Sequence, residues 1–380
     1  MPWLIVAGDL TPLGGMDSAN HALARHLASR DEIHLVTHRA WPDLAALPTV
    51  RVHPVWRPFN RHMLGSPLLS RTGQAVWRRL RGQGAHAVVN GGNCRIAGAN
   101  WVHYLHAANP LDGLYGTASL ARRAKMALSH RRDLAAERTA IRAARVVICN
   151  SRRTRDDVVD RIGIDRSRAQ VIYYGGDPVR FSPVNTAARE AAKAALSQPA
   201  TRPLVGFVGA LGDRRKGFDT VFSAWCQLCA CRNWDADLIV VGEGAELPVW
   251  RRRAQEAGVG DRIRFAGFRT DVPEILAALD ALVHPARYEA YGLSVREALC
   301  RGVPALVSAS AGVAEHYPPE LGELLVDDPN EPEELRTRLL TWRRDMERFR
   351  SAIQPLSTAL GRHTWDAMAK EIADLVSERS

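Results

Sequence analysis

Two glutamates eight residues apart, Glu289 and Glu297, lie in the segment of this chain best suited to chemistry. The apolar run Ala281–His284 before them predicts a short buried strand. The residues after Gly292 predict a short helix, which Gly302 ends at the usual C-terminal glycine position. We therefore expect Glu289 at the carboxyl end of a strand and Glu297 on the helix that follows.

The start of this predicted helix is suited to binding an anion. Backbone N–H groups at Gly292, Leu293 and Ser294 have no partner within a helix, and the helix dipole favours negative charge there. A phosphate at that position, with carboxylates on either side accepting hydrogen bonds from sugar hydroxyls, outlines a nucleotide-sugar site. The alternative is that both glutamates are solvated surface charges.

A basic turn follows another predicted strand, Leu204–Val208. Glycines such as Gly209 let the backbone approach a phosphate, and the cations Arg214, Arg215 and Lys216 can neutralise its charge. The functional interpretation is that Lys216, with Arg215 or Arg214, grips a diphosphate and stabilises it as a leaving group. The alternative is a basic surface turn.

Weaker candidates lie in the first half of the chain. Gly14 and Gly15 follow the first strand and open a helix, so they either admit a donor or acceptor phosphate or form only a tight turn. Alternation along the predicted strand Trp101–His106 places His106 on one face and His103 on the other. His106 is a candidate for bonding a sugar hydroxyl or the reacting centre, or is a satisfied structural residue.

Three further positions belong to the predicted site. Gly267 and Phe268 end a strand in the second half and could lie against a nucleotide base. Asn109 begins the loop 109–118, which we expect, together with the loop 57–70, to select the acceptor.

The charge of the chain favours an anionic partner. Its 380 residues carry a net charge of +10, and residues 120–145 hold eight lysines or arginines against two acids. A second basic stretch, Arg71 to Arg81, surrounds Trp77. These helices are either peripheral contacts for an anionic membrane or solvated faces. Binding to nucleic acid is not expected, because no recognition motif accompanies the charge.

Composition indicates a globular cytoplasmic protein, or one located at the inner face of the cell membrane. No apolar run reaches the length of a membrane span, and the first one is too short for a signal peptide. Six scattered cysteines indicate a reducing compartment. Cys226, Cys229 and Cys231 lack the further ligands that zinc requires, so we expect no metal site and no cofactor.

Short apolar runs alternate with helical segments through most of the chain, which predicts an α/β fold with parallel sheets. A proline-marked polar break at 177–183 separates two such series. We expect two doubly wound, Rossmann-like domains facing each other across a cleft, with ligands at the carboxyl ends of the strands. The predicted domains are 1–183 for an acceptor, 184–355 for a nucleotide-sugar donor, and 356–380 as a helix that packs back on the first domain.

These motifs together resemble the retaining glycosyltransferases of family 4, which have the GT-B fold. Glu289-x7-Glu297, followed by Ala-Leu-Cys-Arg-Gly-Val-Pro304, is similar to the family's Glu-x-Phe-Gly-x4-Glu-Ala-x-Ala-x-Gly-x-Pro. The segment 174–183, Tyr-Gly-Gly-Asp-Pro-Val-Arg-Phe-Ser-Pro, is similar to Asn-Gly-Val-Asp-x3-Phe-x-Pro before the interdomain linker.

The resemblance implies a role for each donor residue. Glu297 would bond the ribose hydroxyls, Glu289 the hydroxyls of the donor sugar, and the amides around residues 292–294 its phosphates. Lys216 with Arg215 would bind the diphosphate, and His106 would contact the sugar near its anomeric carbon. Family members often have arginine directly after the glycine at 209, where this chain has Ala210, so the second cation must be Arg214 or Arg215.

The family's reaction implies a metal-independent, retaining transfer of a hexose from a nucleoside-diphosphate sugar. A UDP-sugar is our first choice of donor and GDP-mannose the second. The acceptor would be a hydroxyl of a glycan, a glycolipid precursor or a natural product. Two alternatives stay open: a non-catalytic protein that binds nucleotide sugars or a membrane surface, and a NAD-dependent oxidoreductase, although the chain lacks the dinucleotide fingerprint.

Overall fold

The structure is a computed structural model that describes residues 1–109 and 120–379, with only the backbone for 120–123. The chain forms two compact units, Met1–Gly175 with His363–Ser380, and Gly176–Arg362. The change of unit therefore falls at the glycine pair Gly175 and Gly176, ahead of the proline-marked break. A Cβ on Gly175 would lie 2.2 Å from the Thr364 carbonyl oxygen, so the chain passes close to the returning C-terminal segment at a position that requires glycine.

The first unit is built on a seven-stranded parallel sheet in the order β5-β3-β1-β6-β7-β8-β9, with a separate two-stranded pair, β2-β4. Its elements before the change of unit are β1 (Trp3–Val6), β2 (Asp9–Leu10), α1 (Gly15–Ala28), β3 (Ile33–Thr37), β4 (Arg39–Ala40), α2 (Pro42–Ala45), β5 (Val50–Pro54), α3 (His62–Leu80), β6 (His86–Asn90), β7 (Ala99–Val102), α4 (Leu120–Ala143), β8 (Val146–Cys149), α5 (Arg152–Asp157) and β9 (Ala169–Val171).

The second unit has a six-stranded parallel sheet in the order β12-β11-β10-β13-β14-β15. The remaining elements are α6 (Thr186–Ala195), β10 (Leu204–Val208), α7 (Phe218–Cys229), β11 (Asp237–Val241), α8 (Leu247–Glu256), β12 (Ile263–Gly267), α9 (Val272–Ala278), β13 (Ala281–His284), α10 (Leu293–Cys300), β14 (Ala305–Ser308), β15 (Leu325–Val326), α11 (Pro332–Arg344), α12 (Met346–Ala352), α13 (Gln354–Arg362) and α14 (Trp365–Glu378). The last of these, α14, belongs to the first unit and packs against α1.

The central strands are apolar along their whole length because helices cover both faces of a parallel sheet. Every residue of β1, β8 and β13 is buried, as the continuous apolar runs in the sequence predict. Each sheet also places its first strand in the middle. The chain runs outward on one side of β1 or β10 and then returns to the other side, at β6 or β13. Each unit therefore has a topological switch point, where α/β sheets bind ligands beyond the carboxyl ends of the strands.

The predicted α/β fold class is confirmed, and two strands of the second unit, β10 and β13, have the predicted bounds. One prediction is wrong in the first unit: β7 ends at Val102 and not at His106. The side chain of His103 is drawn into a buried polar network, so the strand alternation does not continue to His106. The loop 110–118 lies outside the described residues. In the part of the chain that is described, no helix is both long and apolar enough to cross a membrane.

Candidate active site

The switch point of the second unit lies between β10 and β13, which pair directly in the sheet. The turn after β10 carries Lys216, and the loop after β13 carries Glu289. Lys216 Nζ lies 2.6 Å from Glu289 Oε2, and their side chains are 19% and 13% exposed. Two sequence motifs 73 residues apart in the chain therefore meet as a partly buried ion pair at the carboxyl edge of the sheet, the edge at which α/β sheets bind ligands.

Local geometry explains how Lys216 reaches this position. Residues Arg214–Lys216 form one 3₁₀ turn, which begins at Asp213 and ends at Gly217 in the left-handed conformation, φ 74°. A Cβ at position 217 would lie 1.9 Å from the Pro285 carbonyl oxygen. Glycine is therefore required by both φ and space, and this close approach brings the basic turn against the end of β13.

His284 is the third member of the ion-pair cluster. Its Nε2 lies 3.0 Å from Glu289 Oε2, and the residue is 1% exposed. Burial lowers the pKa of His284 against the opposing effect of Glu289, so we assign a neutral ring that donates from Nε2. Although burial by itself would raise the pKa of Glu289, the Lys216 ammonium, the hydrogen bond to His284 and the charge of Arg215 outweigh it and hold that pKa below its usual range. Glu289 is therefore ionised at neutral pH.

The two arginines of the basic turn differ in what they contact. Arg215 bonds both Asp213 and the Tyr288 carbonyl oxygen, the latter at 3.1 Å, and its charge acts on Glu289. Arg214 is directed to Asp219 at 3.0 Å, the carboxylate that also accepts two bonds from Arg287. The geometry thus favours Arg215 as the second cation beside Lys216, while Arg214 helps to fasten the loop after β13 to α7.

The start of α10 has the predicted form. Gly292 precedes the helix with φ 107° and gives it no side-chain cap, so the amides of Leu293 and Ser294 have no partner within the helix. Glu297 lies one turn further on. Burial raises the pKa of Glu297 to about 7, although Arg296 and Arg180 act to lower it. Among the described residues, the Glu297 carboxylate has no hydrogen-bond or ion-pair partner.

Glycines of the second unit bring neighbouring loops together at the same edge. Gly209 follows β10, and a Cβ on Gly242, which follows β11 with φ 145°, would lie 1.9 Å from the Gly209 carbonyl oxygen. Gly267 ends β12 with φ 71°, and the ring of Phe268 beside it is 64% exposed. An exposed aromatic ring at a strand end is suited to stacking on a planar base.

In the first unit, Gly14 and Gly15 open α1 as predicted. Gly14 has φ 88°, no neighbouring atom lies within 4 Å of a Cβ built on it, and the residue is exposed. Asp17, in the first turn of the same helix, has a pKa raised to about 6, mainly by burial and then by Asp9. The turn is therefore open, with mixed charge around it.

His106 lies in a 3₁₀ turn, His106–Ala108, and not at a strand end. The backbone N–H groups of His106 and Ala107 donate to the two oxygens of Glu137, at 2.8 and 3.0 Å. Burial lowers the pKa of His106, with smaller effects from Asp133 and His130, so its ring is neutral at pH 7. His106 can therefore offer a neutral ring to a hydroxyl, on a turn clamped by a buried glutamate.

His103 and Asn109 are engaged within the first unit. Burial lowers the pKa of His103 to about 3, and its ring bonds the Tyr174 hydroxyl and, at 3.3 Å, Asn20 Oδ1. Asn109 is buried and donates its amide N–H to the Tyr104 hydroxyl. His103 is therefore a structural residue, and Asn109 contributes to the packing of its own loop.

Sequence reasoning missed two parts of the site. His284 was visible only as a strand residue, although a histidine at the last position of a buried strand before Pro285 is a usable signal. Nothing in the sequence pairs Asp219 with Arg287, which lie 68 positions apart. The part of the chain that the structure describes holds no group of three or more His, Cys, Asp or Glu residues able to bind a metal. Cys226, Cys229 and Cys231 are free thiols.

Comparison with known proteins gives the family. The model described as Glycosyltransferase Family 4 matches residues 13–180, and the model described as Glycosyl transferases group 1 matches residues 188–354. A 2-deoxystreptamine N-acetyl-D-glucosaminyltransferase from Streptomyces fradiae is 34% identical over 197 residues, which cover 50% of this chain and 45% of that protein. A D-inositol 3-phosphate glycosyltransferase from Salinispora tropica is 26% identical over 410 residues, which cover 96% of this chain and 81% of that protein.

A solved structure supports the fold. HepE from Anabaena, in complex with UDP-glucose, aligns with a TM-score of 0.73 at 18% identity and with 100% coverage of both chains. The two family models together match most of the chain, one in each unit. The chain therefore belongs to the family 4, group 1 glycosyltransferases, and its two parallel-sheet units have the GT-B fold.

Proposed function

We propose that this protein is a retaining glycosyltransferase that moves a hexosyl group from a nucleoside-diphosphate sugar to an acceptor hydroxyl. The proposal rests on the ion pair between Lys216 and Glu289 at the switch point of the second sheet. His284 bonds Glu289, and the charge of Arg215 acts on it. The family and both relatives' names support a glycosyl donor. HepE, which shares this fold, is described with UDP-glucose, which supports a UDP-sugar as the first choice before GDP-mannose.

The donor's diphosphate would bind between the basic turn and the start of α10. Lys216 and Arg215 supply positive charge, and the free amides at Leu293 and Ser294 supply hydrogen-bond donors. These groups would stabilise the charge that develops on the leaving diphosphate without a metal ion or another cofactor. Glu297 would accept bonds from the ribose hydroxyls, and Phe268 and Gly267 would lie against the base.

The sugar would be held by Glu289. Its carboxylate is fixed by Lys216 and His284, so it can accept bonds from sugar hydroxyls without reorganising when the donor binds. Retention would follow from attack on the face that the diphosphate leaves, with the leaving phosphate taking the acceptor proton. His106, as a neutral ring, would bond the sugar near its anomeric carbon, and Gly14 would allow the acceptor to approach the start of α1.

The acceptor would be a glycan, a lipid-linked precursor or a small polyhydroxylated molecule. The two relatives are named for a 2-deoxystreptamine and an inositol phosphate acceptor, so both compounds are the first acceptors to test. We place the reaction in the cytoplasm, with peripheral contact at the inner face of the cell membrane.

The test is transfer by the whole protein from UDP-glucose, UDP-N-acetylglucosamine and GDP-mannose, in EDTA, with release of the nucleotide and the anomeric configuration of the product as readouts. We expect turnover with one donor, an α-linked product, and loss of turnover in Glu289→Ala. Glu333→Ala, an exposed glutamate on α11, is the matched control. A β-linked product would overturn retention, and dependence on added metal would overturn the metal-independent mechanism.

The alternatives have different outcomes. Binding of a nucleotide sugar with no transfer and no hydrolysis across these donors and acceptors would identify a binding protein. Oxidation of NADH, or binding of NADH in preference to the nucleotide sugars, would favour the oxidoreductase.

A further inference from the structure

We propose that the loop between β5 and α3, together with the exposed face of α3, docks the first unit on an anionic lipid bilayer. The surface consists of two aromatic residues on the loop, Trp56 and Phe59, and of exposed residues on α3 and just before it. We call it the loop–α3 surface, and its further members are Arg61, Leu64, Arg71 and Arg78. It is separate from the basic helix α4, and the donor site lies in the other unit.

The charges within this segment of the sequence are all of one sign, although two of its arginines pair with acids from outside it, Arg51 with Glu32 and Arg57 with Asp9. Residues 44–111 contain eight arginines and no aspartate, glutamate or lysine. Seven of the eight arginines are exposed: Arg51, Arg61, Arg71, Arg78, Arg79, Arg81 and Arg95. A solvated protein face normally mixes both signs. Arg61, Arg71 and Arg78 of the loop–α3 surface are exposed and form no ion pair within the described part of the chain, which favours an anionic partner. Each arginine near an anionic bilayer adds an attraction that falls off within a Debye length.

Two large aromatic side chains in this basic segment are exposed to solvent. Trp56 is 73% exposed and Phe59 is 84% exposed, and Leu64 on the first turns of α3 is 44% exposed. Aromatic side chains beside arginines are typical of the interface between water and a bilayer, where the ring enters the headgroup region and the cation meets the phosphates.

The backbone of the loop holds Phe59 outward at a cost. Phe59 and Asn60 both have left-handed backbone angles, φ 51° and 56°. A bulky residue in this region is strained by about 1–2 kcal/mol, and the exposed ring gains no packing in return. Such strain is retained where a surrounding structure or a partner uses it, and a bilayer would bury the ring.

The exposed face of α3 continues the same surface. Leu64, Pro67, Arg71 and Arg78 are all exposed and follow the three- and four-residue spacing of one helix face. The start of α3 is fixed against the loop, because a Cβ at Gly65 would lie 3.0 Å from Arg57 Cγ and 2.8 Å from the His38 ring. The loop and the start of the helix are therefore packed together at Arg57.

A lipid bilayer is favoured over nucleic acid as the occupant. Single-stranded nucleic acid also binds basic surfaces with aromatic rings, but it follows a positively charged groove. The loop–α3 surface instead exposes the aliphatic side chain of Leu64 together with Trp56 and Phe59, and burial of these apolar groups in a bilayer is favourable. Binding to an oligonucleotide is therefore the competing outcome of the test.

The experiment is co-sedimentation of the whole chain with extruded vesicles of phosphatidylcholine, with and without one third phosphatidylglycerol, at low and high salt. The proposal rests on the membrane contact included in the proposed function and assigns a surface to it. No nucleotide sugar is present, so failure to bind vesicles would leave the proposed sugar transfer standing. We expect binding to the anionic vesicles that weakens with salt. The pair Trp56→Ser and Phe59→Ser should lower it by on the order of tenfold or more, since burial of both rings is lost.

Charge and position are tested with further variants. Arg71→Glu with Arg78→Glu should reduce vesicle binding by on the order of tenfold or more and flatten its salt dependence. Val179→Ser is the matched apolar control, because Val179 is 85% exposed in the second unit and should leave binding unchanged. The melting temperature of each variant checks that it is folded.

Three results would overturn the proposal. The first is vesicle binding that is unchanged by the Trp56 and Phe59 substitutions. The second is binding that is lost instead in Arg131→Glu with Arg132→Glu, two exposed residues of α4. The third is binding to a single-stranded oligonucleotide that is stronger than binding to the anionic vesicles at the same salt.

Discussion

In each of two regions of the molecule, burial raises the pKa of a glutamate to about 7. The two carboxylates have different surroundings. Glu137 in the first unit accepts hydrogen bonds from the backbone N–H groups of His106 and Ala107. Glu297 in the second unit has the same raised pKa but no hydrogen-bond partner within the described ranges 1–109 and 120–379. Glu137 is 1% exposed and Glu297 is partly buried, so desolvation of the carboxylate is costly in both places, but only at Glu137 does the chain itself offset that cost.

The difference separates a structural carboxylate from one that is available to a ligand. Glu137 clamps the turn that carries His106, so its role is completed in the free protein. Glu297 lies on α10, five positions beyond an uncapped helix start at Gly292, so its acceptor capacity and the free amides are both unused. Glu297 is only partly buried, so a ligand such as a ribose can reach its carboxylate and supply the missing hydrogen bonds.

The largest expected effect concerns Lys216, the cation that pairs with Glu289 in the second unit. We expect Lys216→Ala to lower the rate of hexosyl transfer by about 10²–10³-fold, because it removes a cation that stabilises the leaving group. Lys370→Ala is the matched control, since Lys370 is 60% exposed and pairs with Asp374 on α14. Transfer rates equal in the two variants would remove Lys216 from the reaction.

The raised pKa of Glu297 should make the free energy of unfolding depend on pH. Its folded pKa of about 7 lies above the ordinary value of 4.5, so the folded state binds more protons than the unfolded state between these values. The free energy of unfolding should therefore fall as pH rises from about 4.5 to 7, by up to roughly 3 kcal/mol from this group. Denaturant titrations across pH should show a shallower fall in Glu297→Gln. An identical fall in wild type and variant would contradict the raised pKa.

Removing each carboxylate should distinguish the two regions. Glu137→Ala leaves two partly buried N–H groups without partners, so we expect it to lower the free energy of unfolding by about 2–3 kcal/mol at pH 8. Glu297→Gln should not lower stability at pH 8, but it should weaken UDP binding about tenfold. Loss of stability in Glu297→Gln equal to that in Glu137→Ala would make both carboxylates structural.

The smallest expected effect is a change in stability on replacing a turn glycine in each unit, Gly14 in the first and Gly217 in the second. In Gly14→Ala the added Cβ meets no neighbouring atom, and the strain comes from the left-handed φ of 88°. The substitution should therefore lower the free energy of unfolding by about 1 kcal/mol. Gly217→Ala adds a collision with the Pro285 carbonyl oxygen and should cost clearly more. Equal changes in melting temperature would show that the tight approach at Pro285 is not rigid.

The sequence predicted the second unit better than the first for a physical reason. The site segment Ala281–His284 to Leu293–Cys300 is local, and its strand, turn and helix follow from periodicity and glycine chemistry within twenty residues. His103 and His106 could not be placed in this way. His103 is held by Asn20 and Tyr174, which are 83 and 71 positions away, and these contacts decide where β7 ends.

In the second unit, contacts between residues far apart in the sequence could not be predicted either. The roles of Lys216 and Glu289 as separate candidates followed from their own motifs and the family resemblance. Their ion pair, the addition of His284 and the link between Arg287 and Asp219 depend on which strands are neighbours. That order is a property of the sheet, and the sequence indicates only that a sheet is present.

The most direct test of the central claim is calorimetric titration of UDP, GDP, ADP and dTDP into the whole protein in EDTA, beside the same titrations into Lys216→Ala. The account predicts that one nucleoside diphosphate binds, with UDP as our first choice, and that the variant binds it at least tenfold more weakly because one charge-assisted contact is lost. Binding of none of the four, or equal affinity in both proteins, would contradict a donor site at the carboxyl edge of the second sheet.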